Sequence, residues 1–148
     1  MYKRRRTYTN AFTLIEFIAV VLILGVLASL GVTNYGILLE RMRAREGVIH
    51  LMTILGAEKR WVVDKTPPGG APPSYTTTLD ALDIQMNNGW NNFQIPQLFG
   101  VAFGSNAIVA RIRRDTGAPF NYFLRITEGT GTISCTGGGA GICAKLGF

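Results

Sequence analysis

Apolar and polar positions change their period as this chain advances. From Phe17 to Leu39 there are 23 residues without one formal charge. At about 1.5 Å per residue a helix of that length reaches roughly 34 Å, enough to cross a hydrocarbon core of about 30 Å. Beyond it the pattern becomes two-sided. Leu38, Met42, Ile49, Met52 and Leu55 recur at spacings of three, four or seven, and Trp61 and Val62 extend the apolar surface. Glu40, Arg41, Arg43, Glu46, Glu58, Lys59 and Arg60 supply a polar face. Nothing breaks this pattern strongly before Pro67-Pro68-Gly69-Gly70. The spacing therefore predicts one helix from about residue 12 to about residue 65. Its first half (12–39) lies in a membrane and its second half (40–65) packs on a sheet.

The rest, residues 66–148, reads as a loop followed by strands. Residues 66–75 hold four prolines and two glycines and form a loop. Thr76-Thr77-Thr78 leads into Leu79 and Leu82, which predicts one short helical turn behind a threonine cap. Residues 87–92 are turn-rich. Strands are predicted at 98–103, 107–113, 122–127 and 132–135. In the second and third, arginines fall between apolar residues, the alternation of a sheet with one wet face. Arg114-Asp115-Thr116-Gly117 and Glu128-Gly129-Thr130-Gly131 read as hairpin turns. A long helix followed by an antiparallel meander is an α+β plan.

Ahead of the apolar run lies a leader, residues 1–11, with Lys3, Arg4, Arg5 and Arg6 and no acidic residue. Ala11 and the stretch Phe12-Thr13-Leu14-Ile15-Glu16 join it to the run. A secretory signal has an apolar core of about 7–15 residues and an A-x-A-like site; this run is too long for one. An ordinary single-span anchor, oriented by its basic end, leaves Glu16 without a role. A carboxylate inside a span costs on the order of 2.5–3.5 kcal/mol on insertion scales and marks a functional position by default.

The order of basic leader, small residue, Phe-Thr-Leu-Ile-Glu and long apolar helix resembles the class III signal of type IV prepilins and type II secretion pseudopilins. The match covers about 20 residues. The resemblance implies that a prepilin peptidase cuts between Ala11 and Phe12 and methylates the new amino terminus at Phe12. It implies that Glu16 acts in assembly, pairing with the amino terminus of a neighbouring subunit. Two departures stand out: Ala11 replaces the usual glycine before the cut, and Thr33 replaces a proline often found late in the helix. The element order is similar to that of pilins too, a long helix packed on an antiparallel sheet whose C-terminal region is often closed by a disulfide. The implied protein is a structural subunit of a type IV pilus or a type II secretion pseudopilus, working in a helical filament with copies of itself and other pilins. Its further partners would be the membrane, the peptidase, an assembly ATPase and an inner-membrane platform. The implied location is the bacterial inner membrane, single-pass with the amino terminus cytoplasmic, and then a periplasmic or cell-surface filament. The alternative is a minor pilin-like module that binds DNA or a surface ligand.

Composition changes this picture in two ways. The net charge of the 148 residues is +6, yet without residues 1–11 the chain carries 11 Lys+Arg against 9 Asp+Glu. The basic balance is therefore chiefly a topology signal and argues against nucleic acid as a partner. The compact part is small, and small domains often carry a covalent staple. Cys135 and Cys143 are placed to supply one on the non-cytoplasmic side, where disulfides persist.

The residues assemble no convincing catalytic set, so no enzyme is expected and no cofactor is implied. His50 is the single histidine, beside Ile49 and Leu51 on the helix, and reads as a satisfied or solvated side chain. Two cysteines and one distant histidine fall short of a structural zinc site. Residues 137–141 lack the Gly-Lys-Ser/Thr ending of a phosphate loop. Asp80 and Asp83 are two carboxylates, too few for calcium, and read as a solvated turn. Arg111, Arg113 and Arg125 fall on one face of the predicted sheet. Phosphate contact is the functional reading of that face. No aromatic is read as interleaved with the arginines, so a solvated face is preferred.

Overall fold

The computed structural model describes residues 12–85, 92–115, 120–139 and 141–148. The leader with Ala11, most of the turn-rich segment at 87–92, and Thr116-Gly117 of the first predicted hairpin lie outside the described residues. The elements form an α+β chain: helix α1 (Leu14–Lys65), strands β1 (Gln97–Leu98), β2 (Ile108–Asp115), β3 (Asn121–Thr127) and β4 (Ile133–Gly137), and a short helix α2 (Ile142–Leu146). The four strands form one antiparallel sheet in sequence order, β1-β2-β3-β4. A long N-terminal apolar helix and a C-terminal meander are both present as expected. The chain divides into two units, residues 1–36 and 37–148.

In the first unit α1 from Leu14 to Val32 is predominantly apolar and exposed all round. Leu14–Val32 is a stretch of 19 residues long and apolar enough to cross a membrane, with none of it buried. A helix without a polar face has no way to settle against a soluble core and water together.

In the second unit α1 buries one face against the sheet. That face is Glu40, Ala44, Leu51, Ile54, Leu55, Ala57, Glu58 and Val62, packed with Val109, Ala110, Ile112, Tyr122, Leu124 and Ile126. This corrects the predicted stripe. Leu38, Met42, Ile49 and Met52 are all exposed, between 48% and 65%; of that pattern Leu55 and Val62 are buried in the core and Trp61 packs against it half-buried. The reason is close approach. A Cβ built on Gly47 would lie 2.7 Å from Phe93 Cζ and 2.9 Å from the methyl tips of Ile112 and Leu124. The sheet packs where Ala44, Gly47 and Ala57 let it come near. Shape outweighs the larger apolar area of the other stripe, because interiors pack like crystals.

Two strand predictions and the helical turn need adjustment. The strand expected at 98–103 is reduced to Gln97–Leu98. Val101 N–H turns back to the carbonyl of Phe99 at 2.8 Å, and the carbonyl of Val101 accepts from Tyr75 N–H at 2.9 Å, so this backbone serves the loop instead. β2 runs on through Arg114 and Asp115, which were read as a turn. The short helical turn is a 3₁₀ segment, Leu79–Ala81, and Thr78 makes no side-chain cap. Thr76 Oγ1 accepts from Thr78 N–H at 3.2 Å in its place.

Helix α2 was not foreseen. It carries Cys143, which is disulfide-bonded to Cys135 on β4 with Cα atoms 5.6 Å apart. Gly147 closes α2 with φ of 97°, a left-handed cap that glycine adopts without a Cβ penalty.

Candidate functional site

Three clusters stand out; sequence reasoning placed the first and the arginines of the third, and missed the second. At the start of α1, Thr13 and Glu16 fold back on each other. Thr13 N–H donates to Glu16 Oε2 at 2.9 Å, and the Thr13 hydroxyl donates to the same oxygen at 2.7 Å. Glu16 N–H in turn donates to Thr13 Oγ1 at 3.3 Å. This reciprocal pairing is a capping box, and it satisfies backbone donors that a helix start otherwise leaves open. The T-x-x-E spacing announced it in the sequence. Glu16 thus has a local role that an ordinary anchor would also use. Phe12 precedes the helix and is 76% exposed. Of the expected cleavage pair, Ala11 lies outside the described residues and Phe12 stands just ahead of the helix, within one turn of the expected assembly residue Glu16.

The second cluster is a buried ionic clamp between α1 and the sheet. Glu40 is fully buried, and Arg114 nearly so. Glu40 Oε1 accepts from Arg114 Nε at 2.8 Å and from the Tyr122 hydroxyl at 3.0 Å. Its Oε2 accepts from Arg114 Nη2 at 3.3 Å and from Arg43 Nη1 at 3.2 Å. Arg114 Nη1 donates to the carbonyl of Asn92 at 2.6 Å. Burial alone pushes the Glu40 carboxyl up, but hydrogen bonds and charge from Arg114 outweigh it and hold it below the usual range. The same burial, beside the Glu40 carboxylate, raises the Tyr122 phenol. Sequence reasoning put Glu40 on the polar face and Arg114 in a turn. The signal it passed over was the adjacent pair Arg113-Arg114: in a strand, neighbours face opposite ways, so one of the two must point inward.

The third cluster is the outer face of the sheet. Register places Gln97, Arg111, Arg113, Phe123, Arg125, Ser134 and Thr136 on one side. The Arg111 guanidinium lies 5.1 Å from the Phe123 ring centroid and 5.6 Å from that of Phe99; Arg113 lies 5.5 Å from Phe123. Arg111 also donates to Gln97 Oε1. The three arginines share a face as predicted. The expectation that no aromatic interleaves with them is wrong. Phe123 stands two residues before Arg125 on β3, so alternation within that strand already put it on the arginine face; the cross-strand register adds that it directly opposes Arg113.

The remaining candidates resolve into local pairs. Both Asp83 oxygens accept from Arg60, each at 2.8 Å, so this carboxylate is engaged by a cation of the chain itself. Among the described residues no group of three or more His, Cys, Asp or Glu gathers. His50 Nε2 lies 3.7 Å from Glu46 Oε1 one turn back on the helix. Comparison with protein-family models, curated proteins and solved structures finds no match to this chain.

Proposed function

We propose that this chain is a pilin-type subunit, inserted by its apolar helix, cut before Phe12, and assembled into a helical filament through α1. The observation that carries this reading is an exposed apolar surface on α1 that outlasts the membrane-length stretch. Leu38, Met42, Ile49 and Met52 lie exposed on the same helix whose other side packs on the sheet. A lone anchor uses its apolar residues within the bilayer and gains nothing from exposing more beyond it. Exposed apolar patches of this kind mark association surfaces. Copies of this chain are the natural occupant: α1 of one subunit offers apolar side chains from Leu14 through Met52, and a bundle of such helices would cover them. The basic leader and the Phe12–Glu16 order support the same reading from a different direction, since they resemble a prepilin signal.

The geometry also accounts for the division of labour. The sheet, the Glu40–Arg114 clamp and the Cys135–Cys143 bridge hold a stable body on one side of α1, leaving the other side open for packing. The filament-forming machinery, including its ATPase and membrane platform, would be separate proteins.

The test is the amino terminus of the native protein. Intact-mass and N-terminal peptide analysis should find a chain beginning at N-methyl-Phe12. A mature chain still beginning at Met1, in cells with an active prepilin peptidase, would overturn the assignment.

A further inference from the structure

We infer that the outer face of the sheet is a binding surface for single-stranded nucleic acid, with Arg111, Arg113 and Arg125 taking phosphates and Phe123 and Phe99 offering the stacking platform. The inference does not depend on filament assembly, and it revises the expectation drawn from overall charge.

Four observations carry it. The first is local charge. Three guanidinium groups occupy adjacent register positions, Arg111 opposite Arg125 and Arg113 opposite Phe123. Among the described residues Asp115, at the end of β2, is the acidic position in register with them. Whole-chain charge hides this, because carboxylates such as Glu40, Glu58 and Glu128 are buried. The second is flat surface. Arg111 lies over both Phe99 and Phe123, and Arg113 over Phe123, so aromatic rings and guanidinium groups adjoin across this face. Bases stack on such layers whatever their identity.

The third observation is unused hydrogen-bonding capacity. Arg125 Nε and Thr136 Oγ1 are buried atoms with no hydrogen-bond partner among the described residues, and both side chains belong to this face. Such groups are costly to leave unmade, and turning the Arg125 guanidinium outward to a phosphate would give it the acceptor it lacks in its buried position. The fourth is shape. Gln94, Ile95, Gln97, Arg111, Arg113 and Phe123 line an open groove of about 240 Å³. It is neither enclosed nor flat, so an extended strand can enter it from solvent. A duplex hides its base faces and cannot use the rings, whereas an extended single strand presents phosphate and base together.

The experiment uses the full chain in neutral detergent. Fluorescence anisotropy would follow a labelled oligo(dT), with duplex DNA of equal length and a polyuronate as competitors. The basic leader is the same in every variant, so the comparison between variants isolates the face. Three phosphate contacts on a single strand should contribute about −2 to the slope of log affinity against log salt. Replacing Arg111, Arg113 and Arg125 together by glutamine should remove that contribution. Phe123→Leu should weaken binding about fivefold or more at unchanged slope, the loss expected of one stacked base. Arg60→Ala, a cation away from the face, should bind like the parent, and near-UV circular dichroism would confirm that each variant is folded. Undiminished binding by the folded triple variant would overturn the proposal. So would equal competition by the duplex or polyuronate together with no effect of Phe123→Leu, which would mark a generic polyanion surface.

Discussion

Glu58 carries the clearest consequence of a single side chain. It lies on α1, fully buried, with Oε2 accepting from Thr76 N–H at 3.0 Å. Its Oε1 has no hydrogen-bond partner among the described residues. Burial pushes this carboxyl from 4.5 up to about 7, against the smaller opposing pull of the Thr76 N–H. Between those two values the folded chain holds a proton that the unfolded chain has released. The folded state binds more protons in that window, so stability falls as pH rises from about 4.5 to about 7 and the contribution is gone above it. Glu40 acts in the opposite sense, because its carboxyl is held down by Arg114: its contribution is lost as pH falls below the ordinary carboxylate range. Denaturant titration at a series of pH values should show Glu58→Gln flattening the slope between pH 5 and 7 and gaining relative stability at pH 8. An unchanged slope in Glu58→Gln would show that this carboxyl does not titrate there. Neither acid was legible as buried in the sequence. Both sit in a helix rich in charge, where each glutamate fits a wet face equally well, and only the partner strand decides between them.

At the level of elements, α1 and the strands β2 and β3 were readable because periodicity is a property of each segment alone. The side of α1 that faces the sheet was not. The helix has two apolar stripes, and the choice between them rests on the clearance at Gly47 above Phe93, Ile112 and Leu124. β1 and α2 were obscure for a related reason. A two-residue strand and a five-residue helix carry no period, and they are held by Phe99 N–H on the Val109 carbonyl, by the disulfide, and by Arg41 Nε on the carbonyl of Lys145. Two glycines of one helix should therefore respond with opposite signs. Gly47→Val forces a side chain into space already filled and should cost about 1–3 kcal/mol. At Gly56 an added Cβ would meet only Arg60 Nη1 at 3.6 Å, an ordinary contact. Gly56→Ala should then stabilise the fold by up to about 1 kcal/mol through helix propensity. Chemical denaturation of the full chain in detergent reads both, and a stabilising Gly47→Val would refute the packing account.

For the whole molecule, the proposed filament would give Glu16 a second role beside the helix cap. Two roles compete, and the capping box makes them separable. As a cap, Glu16 needs only an acceptor that reaches Thr13, and glutamine serves at that position as well as glutamate. As an assembly group, it needs its charge. Cleavage before Phe12 would create an α-amine, ordinarily protonated near neutral pH, about one helical turn from Glu16. In the proposed filament the carboxylate of one subunit would meet the amine of its neighbour. Each charge alone in a dry helical core is heavily penalised, and together they relieve one another, so the pair would fix the axial register of every added subunit. Apolar contacts along α1 supply adhesion but slide more easily, since one apolar turn resembles the next. Glu16→Gln is therefore the deciding variant: it keeps the cap and removes the charge. It should insert and be cleaved like the parent yet yield few filaments when cells are sheared and examined by microscopy, with no wild-type subunits present. Glu16→Ala, which loses both, should do no better. Normal filaments from Glu16→Gln alongside none from Glu16→Ala would assign Glu16 to the helix cap and rule out the charge pair.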